Sequence, residues 1–459
     1  MTSSIEHGSA DIVLLNPPYE NYSAKDKCFY TSYPLGLCYL AAGLRGENLK
    51  VGGIDSGIDS PSIYQTIELL KLLDPKIVGI SLTSIGLRYS YMLVKGLRDS
   101  MPEVIIVLGG PHVACDPSVV GRMGADYGFR GEADDSFPGF CANILAEDDD
   151  VREDLVKTDG NVVECTPPAS LEDMPFPDRS LFRQDRYEYQ SVVASRGCPF
   201  QCSYCGMAGT RFRQREIGSV VSEVESILES GYASIHFADD VFTLERDYVV
   251  GLCETFIEHD LSFKWSCTTR ADLVDPELLK IMGDAGLAHI SFGVESGVEH
   301  IRYSLGKKIS NKEYVDAFKW CREQGIESRA YAMIGHPGET LEDMRETIRF
   351  INKLNPDNVI YTPTIVYPGT RLMKYCVGNG LLPADYWDRY MRNDMPPPYF
   401  TPRGANLKIV QGILEDGYKS FYMRKEFIIK CIRKARTASE VMRAAGLSLA
   451  FVGSQLSRL

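Results

Sequence analysis

Ser191-Val-Val-Ala-Ser-Arg-Gly-Cys198-Pro-Phe-Gln-Cys202-Ser-Tyr-Cys205 is a short apolar strand that runs into three closely spaced cysteines. A strand that delivers reactive side chains from its C-terminal end is the arrangement of a β/α barrel, where chemistry collects at the strand C-termini. Structural zinc sites supply four ligands, often as paired C-x-x-C units. Iron–sulfur clusters also take cysteine thiolates, normally four. A compact set of three leaves one iron of a 4Fe–4S cube without a protein ligand, and a small molecule can bind that open position. The blander readings, a zinc knuckle or three unrelated thiols, leave the spacing and the motifs downstream unexplained. Cys198, Cys202 and Cys205 are therefore the expected metal ligands and catalytic cysteines.

Outward from this loop, the strand opens an alternating series. Further strands are predicted at 234–238, 263–268, 289–293, 328–334 and 358–363, with helical stretches such as 220–230, 276–285 and 311–324 between them. Six such units predict an open, partial (β/α)6 TIM-type barrel with its chemistry at the strand C-termini. The strand ends carry suitable groups. Asp239-Asp240 ends the second, where paired carboxylates suit an ammonium, although one of the pair is expected to cap the following helix. Thr269-Arg270 ends the third, and a guanidinium grips a carboxylate as a fork. Glu295-Ser296-Gly297 ends the fourth, and Gly335-His336-Pro337-Gly338-Glu339 the fifth. Tyr331, Tyr361 and Tyr367 are placed to touch a substrate or simply to pack, as tyrosine on a strand commonly does. Trp265 and Trp387 read as core.

Upstream, residues 11–145 show the same alternation on a different plan. Strands are predicted at 11–16, 50–55, 77–82, 104–110 and 127–132, with helices at 35–44, 62–73 and 87–99. That order predicts an N-terminal doubly wound parallel sheet of Rossmann-like type. Such sheets bind ligands at the carboxyl ends of their strands. The turns there are Asn16-Pro17-Pro18, Ser81-Leu82-Thr83-Ser84 and Gly109-Gly110-Pro111-His112. Successive glycines let backbone approach a bulky ligand closely. His112 reads as a loop-orienting residue. A Pro-rich connector follows, and beyond Pro396-Pro397-Pro398 a C-terminal helical region is expected over 406–445. The division expected is 1–165, linker 166–190, barrel 191–385 and helical region 386–459.

Composition bounds the rest. At 459 residues the chain needs two or three domains. A net charge of −13 argues against a nucleic-acid-binding surface. No apolar run is long enough to span a bilayer, and the N-terminal residues lack signal-peptide character, so a cytoplasmic protein without membrane insertion is expected. The thirteen cysteines suit a reducing compartment, since those outside the triad are scattered singly rather than arranged as a disulfide framework. The acidic run Glu147 to Asp150 reads as a solvated loop. The basic stretch from Arg424 to Arg436 reads as a solvated helix face or a dock for an acidic electron donor.

The C-x-x-x-C-x-x-C spacing, with Tyr204 just before the third cysteine, resembles the signature of radical S-adenosylmethionine (SAM) enzymes. Residues 191–385 resemble that core, and residues 10–145 the cobalamin-binding domain preceding it in one large subfamily. The Asn-Pro-Pro start, the Gly-Gly-Pro-His turn, Arg130-Gly131-Glu132 and Tyr367-Pro368-Gly369-Thr370 are features of that group, which contains cobalamin-dependent radical SAM methyltransferases and the anaerobic magnesium-protoporphyrin oxidative cyclase. The resemblance implies a 4Fe–4S cluster on the three cysteines, with SAM on the open iron. It implies SAM contacts from Tyr204, Asp239, Asp240, Thr269, Arg270, Glu295, Ser296, Gly335, Pro337 and Gly338, and cobalamin contacts from Thr83, Gly109 and Gly110. One position departs from the pattern: where many cobalamin domains read D-x-H-x-x-G, this chain reads Asp55-Ser56-Gly57-Ile58-Asp59. Gly57 replaces the cobalt-ligating histidine, which leaves open a domain that kept the fold and lost the cofactor. The implied activity is reductive cleavage of SAM and hydrogen abstraction from an unactivated carbon of a small-molecule biosynthetic substrate, as in antibiotic pathways. Cobalamin-dependent C-methylation is the favoured outcome. Aminosugar dehydration of the aminoglycoside diol-dehydratase type, ring formation and a non-catalytic iron–sulfur or corrinoid-binding module are the alternatives. An electron donor, a flavodoxin, a ferredoxin or a reductase, is the implied partner.

Overall fold

The computed structural model describes residues 9–18, 33–59, 62–146, 161–395, 399–425, 427 and 429. By contact it divides into two units, 1–188 with 367–397 and 189–366 with 398–459. The acidic run at 147–150, His7, the Pro396–Pro398 run, and Lys430, Arg433, Lys434 and Arg436 of the basic stretch lie outside the described residues.

The first unit is a six-stranded parallel sheet: β1 (Ile12–Asn16), β2 (Val51–Asp55), β3 (Ile77–Ser81), β4 (Ile105–Gly109), β5 (Tyr127–Arg130) and β6 (Val162–Glu164), in the order β2-β1-β3-β4-β5-β6. Strands β1, β3 and β4 are near-continuous apolar runs, as strands covered on both faces must be. Helices Leu35–Gly46, Ile63–Leu73 and Leu87–Ser100 cover them, their apolar stripes burying Leu37, Cys38, Leu70, Val94 and Leu97. The order reverses between β1 and β3. Their carboxyl ends, Asn16 and Ser81, flank the crevice where doubly wound sheets take ligands. β6 is an addition to the expected strands, since three residues carry too little pattern to be read beforehand. Residues 367–397 also group with this unit. The Arg88 guanidinium donates to the Tyr390 and Met395 carbonyls at 3.1 and 2.8 Å. Gly369 sits at φ +73° where a Cβ would lie 2.9 Å from the Cys115 carbonyl oxygen. Contact thus moves 367–385, expected with the barrel, into the first group.

In the second unit the chain forms β7 (Gln190–Val192), a hairpin of β8 (Ser195–Arg196) and β9 (Arg213–Gln214), and then β10 (Ser234–Phe237), β11 (Lys264–Thr269), β12 (Leu287–Glu295), β13 (Glu327–Ile334) and β14 (Asn358–Pro363). Six of these build a parallel sheet in the order β14-β13-β12-β11-β10-β7. Its end strands are not bonded to each other, so the barrel is open. Between the strands run helices Ile217–Glu229, Arg246–Glu258, Pro276–Asp284, Asn311–Glu323 and Leu341–Leu354. Their starts are written locally. Asp275 accepts from the Leu278 amide ahead of Pro276, and Ser310/Glu313 and Thr340/Asp343 form capping boxes. The core lies between strands and helices and holds Phe237, Phe256, Trp265, Phe292 and Phe318. Each buried aromatic contributes roughly 1.5–3 kcal/mol by area removed from water. Trp265 also donates from Nε1 to the Ala285 carbonyl at 2.8 Å. Helix Leu407–Tyr422 closes the β14 edge, with the Tyr418 hydroxyl accepting from the Tyr361 amide and donating to its carbonyl, both at 3.0 Å. This is the described part of the expected helical region.

Candidate functional site

The cysteines occupy the loop of the β8–β9 hairpin, at the C-terminal end of the open barrel's first strand. Glycines create the space. Gly197 adopts φ +93°, and a Cβ there would lie 2.1 Å from the Arg211 carbonyl oxygen. Behind the loop, Gly306 (φ +80°) would bring a Cβ to 2.4 Å from the Gln201 carbonyl oxygen, and the Ser203 amide donates to the Leu305 carbonyl at 2.8 Å. Thr210 Oγ1 accepts from the Cys198 amide at 2.9 Å and donates to the Met207 carbonyl at 2.8 Å. The Met207 amide points at Cys205 Sγ from 3.4 Å. All three thiols are half-buried. Desolvation pushes the Cys198 thiol upward and the Cys205 thiol up to about 11. Neither shift favours a thiolate, whereas the positive charge of a bound metal would. Among the described residues no three His, Cys, Asp or Glu side chains converge as the ligands of one ion would. A cubane makes no such demand, because each thiolate binds a different iron. The loop fits a three-thiolate cluster.

Three strand ends touch this hairpin. Asp240, exposed beyond β10, accepts from the Gly197 amide at 3.1 Å. Arg270 lays its guanidinium 3.7 Å from the ring centre of Phe200, inside the cysteine loop. Its fork is held by Asp272 at 2.9 and 2.7 Å. Glu295 ends β12 at φ +64°, its Oε1 2.8 Å from Lys307 Nζ, both groups buried. Tyr204 lies against Glu295 and Cys202, and burial pushes its hydroxyl well above the usual tyrosine range. Gly293 makes this possible, since a Cβ there would stand 2.3 Å from Glu295 Oε1 and 2.6 Å from Lys307 Nζ.

The other expected residues sit one layer back. Asp239 is buried and accepts from the Ala194 amide at 3.1 Å and the Ser195 hydroxyl at 2.5 Å. Desolvation lifts its carboxyl to about 6. Neither aspartate caps a helix: the next one, Arg246–Glu258, starts from Glu245 without a side-chain cap. That corrects the capping expectation, and the reason is that Asp239 ties the end of β10 to the start of the hairpin instead. Thr269 bonds Thr243 at 2.5 Å. Ser296, Gly335 and His336 are joined by Glu339, which accepts from the Ser296 hydroxyl at 3.2 Å and from the Gly335 and His336 amides at 2.8 and 2.9 Å. Burial raises the Glu339 carboxyl to about 7 and lowers the His336 imidazole to about 4. Pro337 is half-buried, and Gly338, at φ +92°, has no atom within 4 Å of where its Cβ would be. Tyr361 packs on Tyr418 and Tyr367 stacks on Trp387, whereas Tyr331 lies on the partly exposed face of β13. Both tryptophans are buried, as expected. Lys307, Thr210 and the clamp made by Glu339 escaped sequence reasoning, because none falls in a periodic pattern.

In the first unit the two glycines lie at the crest of β4. The Leu82 amide donates to the Gly109 carbonyl at 2.7 Å, and the His112 amide to the Leu82 carbonyl at 3.0 Å. Gly110 turns at φ +94° hard against Leu82, while nothing lies within 4 Å of a Cβ on Gly109. Thr83 Oγ1 accepts from the Gly86 amide at 3.1 Å. His112 is buried, its Nδ1 2.8 Å from Ser84 Oγ and its ring edge-on to Trp387, and burial lowers it to about 4. It orients the loop, as expected. Asp55 accepts from the Tyr187 hydroxyl at 2.8 Å, from the Gly57 amide at 3.1 Å and from Asn16 Nδ2 at 3.3 Å. Desolvation raises it to about 6. The Gly109–Gly110 turn, one strand from the switch point and open at Gly109, leaves room for a corrinoid's nucleotide tail, and the Gly57 turn offers cobalt no imidazole.

The B12 binding domain model matches residues 25–140, and the Radical SAM superfamily model matches residues 192–351. An uncharacterized methyltransferase of Pyrococcus horikoshii is 31% identical over 440 residues, covering 92% of this chain and 94% of its own. The anaerobic magnesium-protoporphyrin IX monomethyl ester cyclase of Rubrivivax gelatinosus is 26% identical over 86% of this chain and 74% of its own. Among solved structures, the radical SAM methyltransferase TsrM of Kitasatospora setae with cobalamin and a [4Fe-4S] cluster bound aligns at a TM-score of 0.65, with 19% identity, over 91% of this chain and 86% of that one.

Proposed function

The chain belongs to the radical SAM superfamily, with a B12-binding domain ahead of the radical SAM core, and from that premise we propose that it is an enzyme that methylates a carbon of a small-molecule substrate using a 4Fe–4S cluster, SAM and cobalamin. The observation that carries this reading is the cysteine hairpin itself. Three half-buried thiols sit on a glycine-made loop that Asp240, Arg270 and Glu295 touch from three successive strand ends. When bound, the cluster and SAM supply a hydrogen-abstracting radical and the corrinoid a methyl group for transfer.

The chain's own work is holding and placing. Cys198, Cys202 and Cys205 are the cluster ligands, and the Met207 amide aimed at Cys205 Sγ stabilises a thiolate there. Asp240 and Glu295 place carboxylates beside the hairpin for the ammonium or ribose hydroxyls of SAM, and Arg270 places a cation there for its carboxylate. Tyr204, backed by Glu295, stiffens the loop on the cluster side. Through Glu339 the ends of β12 and β13, carrying Ser296, Gly335, Pro337 and Gly338, are locked together as one wall. Asp239 and Thr269 support the neighbouring ends from behind. In the first unit Thr83, Gly109 and Gly110 form the cradle for cobalamin. Among the described residues no helix is long and apolar enough to cross a membrane. A cytoplasmic setting with a flavodoxin, ferredoxin or reductase as electron donor completes the proposal. Oxidative ring formation is a second reading, favoured by the cyclase relative.

Anaerobic reconstitution tests it. The wild type should hold about four irons per chain, release 5′-deoxyadenosine from SAM on reduction, and acquire corrinoid absorbance from hydroxocobalamin. A Cys202→Ala protein that still cleaves SAM normally refutes the cluster assignment. Corrinoid that neither binds nor is needed for turnover removes the methyl transfer.

A further inference from the structure

Besides the strand ends, a further segment packs on the cysteine loop: residues 303–308, the end of helix Glu299–Ser304 and the turn after it. The Ser203 amide donates to the Leu305 carbonyl at 2.8 Å. Gly306 is partly exposed, and a Cβ there would lie 2.4 Å from the Gln201 carbonyl oxygen and 3.6 Å from Cys202 Cα. At Gly306, therefore, only backbone stands between solvent and Cys202. Gln201 joins this segment to the hairpin's own rim. It is exposed, its backbone lies against Gly306, and its side chain covers Gly209, where a Cβ would stand 2.5 Å from Gln201 Nε2. Met207 and Arg211 flank Gly209 in the chain, so 207–211 and 303–308 meet across Gln201 as one surface.

Met207 is 42% and Tyr303 44% exposed. A lone exposed apolar side chain is ordinary, and the charge pattern around this pair gives the surface its sense. Residues 189–215 and 300–312 contain no aspartate or glutamate, in a chain with 62 of them among 459 residues and a net charge of −13. Several cations of these segments are engaged internally: Arg215 with Glu223, Arg302 with the Ser296 and Ile309 carbonyls, and Lys307 with Glu295. Arg211 and Lys308 are exposed, and among the described residues neither is paired with a carboxylate. The nearby acids are tied down. Asp240 accepts from the Gly197 amide, Glu299 from the Asn311 amide, and Glu313 from the Ser310 amide and hydroxyl. An acidic macromolecule is repelled by most of this chain and admitted where carboxylates are missing, so attraction and orientation come together.

We propose that residues 207–211 and 303–308 form the docking face for a small acidic one-electron carrier protein, with Met207 and Tyr303 as its apolar contacts and Arg211 and Lys308 as its charges. One electron leaves the carrier and enters the bound cluster, and no proton or covalent bond changes hands. The proposal deepens the functional reading above and rests on it for what the carrier reduces. Docking itself is measured without turnover. Full-length reconstituted protein is titrated anaerobically with oxidised flavodoxin in a calorimeter, at low and at physiological ionic strength. Binding should be tighter at low salt and weaken as salt screens it. The double reversal Arg211→Glu/Lys308→Glu should weaken it ~10-fold or more at low salt, since two weak attractions become two repulsions of similar size. Tyr303→Ser should weaken it about fivefold and keep the salt dependence. Lys264→Glu, at the N-terminal end of β11, and Lys425→Glu, in the basic stretch, should bind as the wild type does. No binding by the wild type, unchanged binding by the double reversal, or an equal loss in either lysine control overturns the proposal, as does a wild-type dimer that the double reversal dissociates. Titanium(III) citrate bypasses the carrier, and with it the double-reversal protein should cleave SAM normally. If it does not, the hairpin itself is disturbed, and Lys308→Glu with Tyr303→Ser decides by the same binding criterion. A wild type that docks flavodoxin on this face yet never cleaves SAM refutes the functional reading and leaves the docking face standing.

Discussion

Replacing Glu339 by Gln tests how the rear wall of the site is built. The native carboxyl is raised to about 7 against an ordinary value of 4.5, because burial penalises its charge more than its three hydrogen bonds favour it. The native state therefore keeps a proton between those values that the unfolded chain releases, so stability is fully present below pH 4.5 and is lost as pH rises through about 7. Each pH unit between the two values is worth about 1.36 kcal/mol, so the loss is about 3 kcal/mol. Glutamine mimics the protonated acid. Its oxygen can accept from the Gly335 and His336 amides, and its NH2 can donate to Ser296 Oγ, whose own proton turns toward Thr347 Oγ1 at 3.1 Å. The two proteins should match near pH 4.5, and Glu339→Gln should be the more stable by about 3 kcal/mol at pH 8, roughly 6–12 °C in midpoint for a domain of this size. Thermal or urea unfolding at a series of pH values reads the difference. The wild-type curve alone cannot, because Asp55 and Asp239 are raised like Glu339 while His112, His236 and His336 are lowered and act with the opposite sign. A constant gap between the two proteins across the range refutes the reasoning.

Lys307→Met should leave the Glu295 carboxylate buried without its cation, destabilising the second unit by about 3–5 kcal/mol. It should weaken SAM binding in equilibrium dialysis, with Lys307→Arg recovering part of it; unchanged SAM affinity in a folded Lys307→Met protein speaks against the pair as a positioning device. Gly197→Ala forces a Cβ onto the Arg211 carbonyl at φ +93°, a strain of about 1–3 kcal/mol before the clash is counted. Iron and sulfide per chain after reconstitution should fall well below wild type, and full loading would show that the hairpin tolerates the shift.

Much of this protein is written locally. The period of apolar residues over 11–109 and 234–363 specifies two alternating β/α series, and Ser310, Thr340 and Asp275 mark helix starts by capping chemistry that needs only neighbours in sequence. The three cysteines are brought together for the same reason, since one hairpin holds them all. The alternation in Ser234-Ile-His-Phe and Glu327-Ser-Arg-Ala-Tyr-Ala is equally visible, although its meaning needs the sheet to reveal which face is concave.

Short-range pattern thus carries the element order, the two parallel sheets, the three-cysteine loop and the missing imidazole at Gly57. How the expected contact residues divide between facing the hairpin and supporting it is a matter of tertiary packing. Asp239 and Asp240 are adjacent in sequence, yet one is buried on Ser195 and the other is exposed beside Gly197. Lys307 meets Glu295 because the connection after β12 folds back on the strand end, and Glu339 joins Ser296 to Gly335 because the ends of β12 and β13 lie side by side. A buried charge is settled by whichever partner the fold brings within hydrogen-bonding distance, and that distance is set by packing that no local pattern encodes.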